Sequence, residues 1–294
     1  MHLQFKDNVL LKNYTTYFVG GPAKKLIEVQ SVEELKTVLK ILNEQDDRYI
    51  VIGKGSNLLF DDQGYDGTVI VNKINRIKWN ETQVDVSSGY SFSLLGSQSA
   101  RKGFSGLEFA AGIPGSVGGA IFMNAGAGQM ETKDPLLKVT FLNEDGKLED
   151  YNRKNLKFSY RKSPFQEMKG VIISALFDLK KYENPLKKVK SIIKQRIETQ
   201  PYQSKSCGCI FQNLEYISAG RLIDDCGLKG LKIGGARVSD RHANFIVNDD
   251  NATCENILDL IKYIQTKVYI SRNILLETEV RYIPYQEIKN SDKI

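Results

Sequence analysis

Residues 110–128 read Ala110-Ala-Gly-Ile-Pro-Gly-Ser-Val-Gly-Gly-Ala-Ile-Phe-Met-Asn-Ala-Gly-Ala-Gly128, a run dominated by glycine and alanine. Small side chains bury little apolar area, and glycine loses more conformational entropy on folding than any other residue. Such a segment makes a poor core. It suits a backbone wrapped around a large flat or phosphorylated cofactor, the alternative being a tightly packed small-residue turn. A second glycine segment, Gly53-Lys54-Gly55-Ser56-Asn57-Leu58-Leu59, follows the β-rich run Tyr49–Ile52. Its glycines bring backbone N–H groups against a bulky anion, and the Ser56 hydroxyl and Asn57 amide add donors, chemistry that suits a pyrophosphate. It is not a Walker A loop, because no Gly-Lys-Ser/Thr closes it, nor a Rossmann fingerprint, because no third glycine opens a helix.

Working outward, Ser31 and Glu34 form a capping-box pattern before a helix to about Asn43, with Leu35, Val38, Leu39 and Leu42 on one face. Strands are expected at Tyr49–Gly53, Thr68–Asn72, Gln83–Ser87, Lys138–Asn143 and Val171–Leu179, with an Asp145-Gly146 turn. The texture changes near residue 182. Asn184-Pro185 starts a helix to about Glu198, whose apolar face would be Leu186, Val189, Ile192, Ile193 and Ile197. A last helix runs from Thr253 to about Val268, and a strand spans Leu275–Ile283. The class is α+β with two lobes, residues 1–182 and 183–294.

Composition narrows the chemistry. The chain has 294 residues, 41% hydrophobic and 26% charged, ordinary for a globular protein. Apolar runs such as Val171–Phe177 fall far short of the roughly 18–20 residues that span a bilayer, and no secretory signal opens the chain; a cytoplasmic protein without membrane attachment is expected. Only two histidines occur, His2 and His242, which removes multi-histidine metal sites and most Ser-His-Asp schemes. No metal is expected, and His242 reads as a packing group rather than a base. The cysteines Cys207, Cys209, Cys226 and Cys254 are too sparse and irregular for a disulfide framework. The net charge of +6 favours an anionic ligand without indicating nucleic acid, and the lysines near residue 182 lack interleaved aromatics, so they read as a solvated helix surface.

Polar chemistry is concentrated in three places. Ser159-Tyr160-Arg161-Lys162-Ser163 offers a guanidinium for carboxylate or phosphate, Ser206-Cys207-Gly208-Cys209 sets two thiols on a glycine turn, and Glu277-Thr278-Glu279-Val280-Arg281 places two carboxylates on one face of the expected strand.

The ordered motifs GKGSNLL (53–59), AGIPGSVGGAIFMNAGA (111–127), SYRKSPF (159–165), SCGCIFQN (206–213), AGRLIDDCGLKG (219–230) with IGGARVSDRHANFIVN (233–248), and LETEVRYI (276–283) resemble the UDP-N-acetylenolpyruvoylglucosamine reductase family, from about Asn13 to Ile283. The resemblance implies an FAD-binding lobe of the vanillyl-alcohol-oxidase (PCMH) type, then a smaller α+β substrate-binding lobe. It implies that NADPH reduces FAD, that NADP leaves, and that UDP-N-acetylglucosamine enolpyruvate then accepts the hydride, with no obligatory protein partner. FAD would be held by Gly53, Lys54, Gly55, Ser56, Asn57, Gly112, Pro114, Gly115, Ser116, Gly118, Gly119, Asn124 and Gly126. Arg161 and Glu279 match the family residues acting on the enolpyruvyl carboxylate and developing enolate; Tyr160 and Asn213 are substrate ligands. Cys209 stands where many members carry the proton-donating serine. A thiol, with a reference pKa of about 8.5, is mostly protonated at neutral pH and is the stronger acid; water or Cys207 is the alternative donor. Leu214, Thr199 and Pro284 depart from common family residues, and the short connection between lobes resembles the shorter subclass. A different flavin enzyme of this fold would share the glycine segments but has no reason to carry SYRKS, SCGCIFQN and ETEVR together; a redox-inert binding protein is the other class.

Overall fold

The computed structural model describes residues 3–286, so His2 lies outside the described residues. The chain forms two compact units, each assembled from separate stretches. Of the described residues, unit 1 comprises 3–5, 27–54 and 69–196, and unit 2 comprises 6–26, 55–68 and 197–286. Segments 6–26 and 55–68 belong to the second compact unit, and the chain stays in the first through Arg196.

Unit 1 is built on a five-stranded antiparallel sheet in the order Leu148–Asn152, Leu136–Asn143, Gly170–Asp178, Gln83–Ser87, Ile77–Asn80. Val84, Val86, Val139, Phe141, Ala175 and Phe177 line the core on one face at period two, while Leu142, Val171 and Ile173 bury into a second core. Helices α2 (Phe92–Arg101) and α3 (Val117–Phe122) add Phe92, Leu95, Val117 and Ile121 to the same core. A second core gathers α1 (Val32–Glu44), whose Leu35, Val38, Leu39 and Leu42 pack with Ile27, Ile70 and Ile173. Ser31 caps α1 by accepting the Glu34 N–H at 3.1 Å, while the Glu34 carboxylate accepts the N–H of Gln30 instead of Ser31.

Helix α4 (Pro185–Thr199) starts at the expected proline, but its buried face is narrower than its sequence suggests. Val189 is buried, whereas Leu186 and Ile197 are 36% and 46% exposed. The helix meets the small residues Ala100 and Ala111, which offer little area to cover a wide stripe.

Unit 2 packs α5 (Ala219–Asp225) and α6 (Cys254–Arg272) against a three-stranded antiparallel sheet, Lys232–Ile233, Ala236–Val238 and Ile246–Asn248. Its α6 starts with a full capping box between Thr253 and Asn256, and Asp62 accepts the next N–H groups from Cys254 and Glu255 at 2.8 and 3.1 Å. The strand expected over Leu275–Ile283 is reduced to Arg281–Ile283, which pairs in parallel with Leu58–Phe60, preceded by a single bridge from Thr278 to Phe211. The partner segment at 210–212 is itself short, so no longer ladder forms. Glu277 and Glu279 thus sit beside one bridge rather than along a strand face. No helix among the described residues is long and apolar enough to cross a membrane.

Candidate active site

In unit 1 the two glycine-rich motifs meet. A Cβ on Gly53 would lie 2.1 Å from Ser116 Oγ, so only glycine permits this approach. Ser116 caps α3, its hydroxyl accepting the Gly119 N–H at 3.2 Å. Gly118 donates its N–H to the Ser88 carbonyl at 2.8 Å, and a Cβ there would press on Ser88. The Lys54 ammonium donates to Ser91 Oγ at 2.8 Å, and Ser91 in turn bridges to Ser116. Partial burial, with Lys73 nearby, lowers the Lys54 pKa from its ordinary value. A cation, hydroxyls and glycine edges fit the pyrophosphate of a dinucleotide cofactor such as FAD. Pro114 and Gly119 are exposed on this face, and Gly115 takes a positive φ of 144°. Gly112 has a different reason to be glycine, because a Cβ would lie 2.5 Å from Arg196 Cδ.

The loop carrying Arg161 docks on the far end of the long glycine segment. Ser159 and Lys162 exchange backbone hydrogen bonds, leaving Tyr160 and Arg161 at the tip of a tight hairpin with Arg161 at φ 57°. The Arg161 guanidinium lies 4.6 Å from the Tyr160 ring centroid and donates to the Gly126 carbonyl at 3.3 Å. Ser163 Oγ donates to Phe122 O at 2.7 Å, and Gln166 also reaches that carbonyl. Asn124, fully buried at φ 42°, donates to Ser159 O at 2.8 Å and accepts the Lys133 N–H at 3.1 Å. Its amide holds the loop rather than facing a ligand. Tyr160 is 39% exposed.

In unit 2, Cys209 follows Gly208, whose φ of 87° makes the turn. The chain beyond it, Ile210 to Gln212, lies between two segments. On one side Glu279 N donates to Ile210 O at 2.7 Å and Gln212 N to Glu277 O at 2.9 Å. Glu279 is therefore hydrogen-bonded to Ile210, the residue that directly follows Cys209 in the chain. Asn57 Nδ2 donates to the Glu279 carbonyl at 3.1 Å, and Arg281 N donates to Asn57 O at 3.1 Å. Gly55 is left-handed at φ 62°, and a Cβ would strike the Tyr14 carbonyl at 2.1 Å. Ser56 is half-buried. Cys207 is 3% exposed, and burial, reinforced by Cys209 and Glu279, raises its thiol pKa far above the usual range. Cys209 is half-buried. Asn213 Oδ1 accepts the Ala219 N–H at the start of α5, at 3.0 Å. His242 accepts the Asn244 N–H on Nδ1 and stands edge-on to Phe245, a packing role.

Two residues outside the expected set organise these segments. Ser91 anchors Lys54, and Asn244 clamps the chain beyond Cys209. Neither stands out in sequence: a serine before a helix and an asparagine in a turn-rich run have many uses.

The sequence description of an FAD binding domain matches residues 23–152, and that of the UDP-N-acetylenolpyruvoylglucosamine reductase C-terminal domain matches residues 200–283. The UDP-N-acetylenolpyruvoylglucosamine reductase of Protochlamydia amoebophila is 51% identical over 283 residues, 96% of this chain and 95% of that relative. Its counterpart in Chlamydia muridarum is 48% identical, over 96% of this chain and 95% of that relative. The crystal structure of the Thermus caldophilus UDP-N-acetylenolpyruvylglucosamine reductase superposes with a TM-score of 0.82 at 37% identity, covering 96% of this chain and 100% of that one. With both halves of the sequence matched and half its residues shared across nearly the full length, the chain belongs to the UDP-N-acetylenolpyruvoylglucosamine reductase family of FAD-dependent oxidoreductases.

Proposed function

We propose that this protein reduces UDP-N-acetylglucosamine enolpyruvate to UDP-N-acetylmuramate with NADPH, a step of peptidoglycan precursor synthesis, and does so in the cytoplasm. FAD, when bound, supplies the carrier that passes a hydride from NADPH to the methylene carbon of the enol ether. Gly53, Lys54, Ser116, Gly118 and Gly119 hold its pyrophosphate, with Gly55, Ser56, Asn57, Gly112, Pro114, Gly115, Asn124 and Gly126 shaping the cradle. Flavin binding is assigned to residues 1–182 and substrate binding to residues 183–294, a division supported by the positions of the two matched descriptions. Arg161 neutralises the substrate carboxylate, Tyr160 and Asn213 line its path, and Glu279, protonated or through a water molecule, donates a hydrogen bond to the developing enolate. The Cys209 thiol delivers the proton to the neighbouring carbon.

The observation that carries this reading is the hydrogen bond from Glu279 N to Ile210 O, the residue next to Cys209. Purified protein is expected to be yellow, to bleach anaerobically with NADPH, and to regain colour only when the enolpyruvyl nucleotide is added. Full-rate recovery in air alone would mark an oxidase, and a colourless or inert protein would mark a binding module.

A further inference from the structure

Asn244 is buried, 1% exposed, and spends its whole amide on one neighbour. Its Nδ2 donates to Phe211 O at 2.8 Å, its Oδ1 accepts the Phe211 N–H at 2.9 Å, and its own carbonyl accepts the Ile210 N–H at 2.9 Å. A side-chain amide thus stands in for a peptide unit of a neighbouring strand. On its opposite edge the same short segment receives the Glu279 N–H and bridges Thr278. Segment 210–212 is therefore gripped from both sides, and no regular strand longer than the bridge holds it.

Asn244 is itself fixed. His242 Nδ1 accepts its N–H at 3.3 Å, and Gly220 of α5 packs so closely that a Cβ there would lie 3.2 Å from His242 Cε1 and 3.6 Å from Asn244 Cβ. Gly208, just before Cys209, has a positive φ of 87° that makes the turn leading into the segment.

We infer that Asn244 is a positioning residue for the protonation step, its amide setting the register that holds Cys209 and Glu279 in a common frame. This rests on the roles assigned above to Cys209 and Glu279. Losing the clamp leaves the unit 1 contacts of Gly53, Lys54, Ser116 and Gly118 in place while letting the acid drift, and a displacement near 1 Å costs about 100-fold in rate.

The test compares the flavin-loaded parent with Asn244→Ser, which keeps one hydrogen-bonding atom, and with Asn244→Asp, which keeps the acceptor for the Phe211 N–H and serves if the first does not accumulate. Anaerobic flavin bleaching by NADPH should change less than about twofold, and reoxidation by the enolpyruvyl nucleotide should slow about 100-fold with an enlarged solvent deuterium isotope effect. In the flavin-free protein the Phe211 amide should exchange faster with deuterium. Added to Cys209→Ala, the Asn244 change should cost little more, because both act through one thiol. Equal losses in both half-reactions, parent-rate reoxidation despite faster Phe211 exchange, or full multiplicativity with Cys209→Ala would overturn the inference. Parent-rate reoxidation in Cys209→Ala alone would instead overturn the acid assignment, and it is read without touching Asn244.

Discussion

Cys209 and Cys207 are two residues apart and chemically opposite. Cys207 is buried with its proton held tightly, whereas Cys209 follows an open glycine turn. Cys209→Ser is expected to retain turnover, because a hydroxyl still carries a proton at the same place. Cys209→Ala should be bleached by NADPH at the parent rate yet lose roughly 100- to 10,000-fold in reoxidation, the usual worth of a general acid, as stopped-flow absorbance of the flavin would measure. Cys207→Ala should keep reoxidation near the parent rate and lower thermal stability instead, since it removes a buried group of the core around α6. At Arg161, lysine keeps the charge but loses the planar fork that pairs with a carboxylate. Arg161→Lys is therefore expected to raise the KM for the enolpyruvyl nucleotide more than that for NADPH.

At the scale of elements, the meeting of the first glycine turn with the start of α3 depends on atoms that are absent. Gly53→Ala would force a methyl into Ser116 Oγ, displacing the cap of α3 and the Lys54–Ser91 contact beside it. The expected outcome is protein purified with little flavin, measured by the ratio of absorbance near 450 nm to that at 280 nm, with the far-ultraviolet circular dichroism unchanged. Helix α6 gives the contrasting case. Thr253→Ala removes a capping hydroxyl and should cost about 1 kcal/mol of stability in urea titrations, leaving flavin content as it was. The loss is held near that value because Asp62 still accepts the Cys254 and Glu255 N–H groups.

At the scale of the whole molecule, acid sensitivity has an identifiable origin in unit 2. Hydrogen bonds from Arg237 and then Lys232 pull the Asp249 carboxyl down to about 2, below its ordinary value of 3.8. A carboxyl whose folded-state pKa is depressed stabilises the fold above the unfolded value and loses that contribution as the pH falls through the folded one. Asp249 thus supports the fold fully above roughly pH 4 and ceases to do so near pH 2. Asp249→Asn should lower the urea midpoint at pH 6 and flatten its decline between pH 4 and pH 2. The exposed setting of the group makes this a modest effect, weakened by salt.

Much of this was legible in one dimension. Helix α1 with its Ser31 cap, the proline start of α4, the start of α6 near Thr253 and the five strands expected between Tyr49 and Leu179 follow from periodicity and capping, which depend on neighbours within a few residues. The glycine motifs are equally legible as residues, whereas the collisions that require glycine at Gly53 and Gly55, against Ser116 and Tyr14, are long-range. Other features needed the fold. The width of the buried face of α4 is decided by the small residues it meets, and the expected strand 275–283 shortens because its partner at 210–212 is short. The composition of the compact units, with 6–26 and 55–68 joining residues beyond 196, is a property of chain path alone. Likewise Asn244 and Phe211 are 33 positions apart, and only tertiary structure reveals that one asparagine amide completes the frame on which Cys209 and Glu279 stand. Local physics determined the elements and the chemistry available to this protein; long-range hydrogen bonding, which carries no local sequence signature, decided which of those groups are held together.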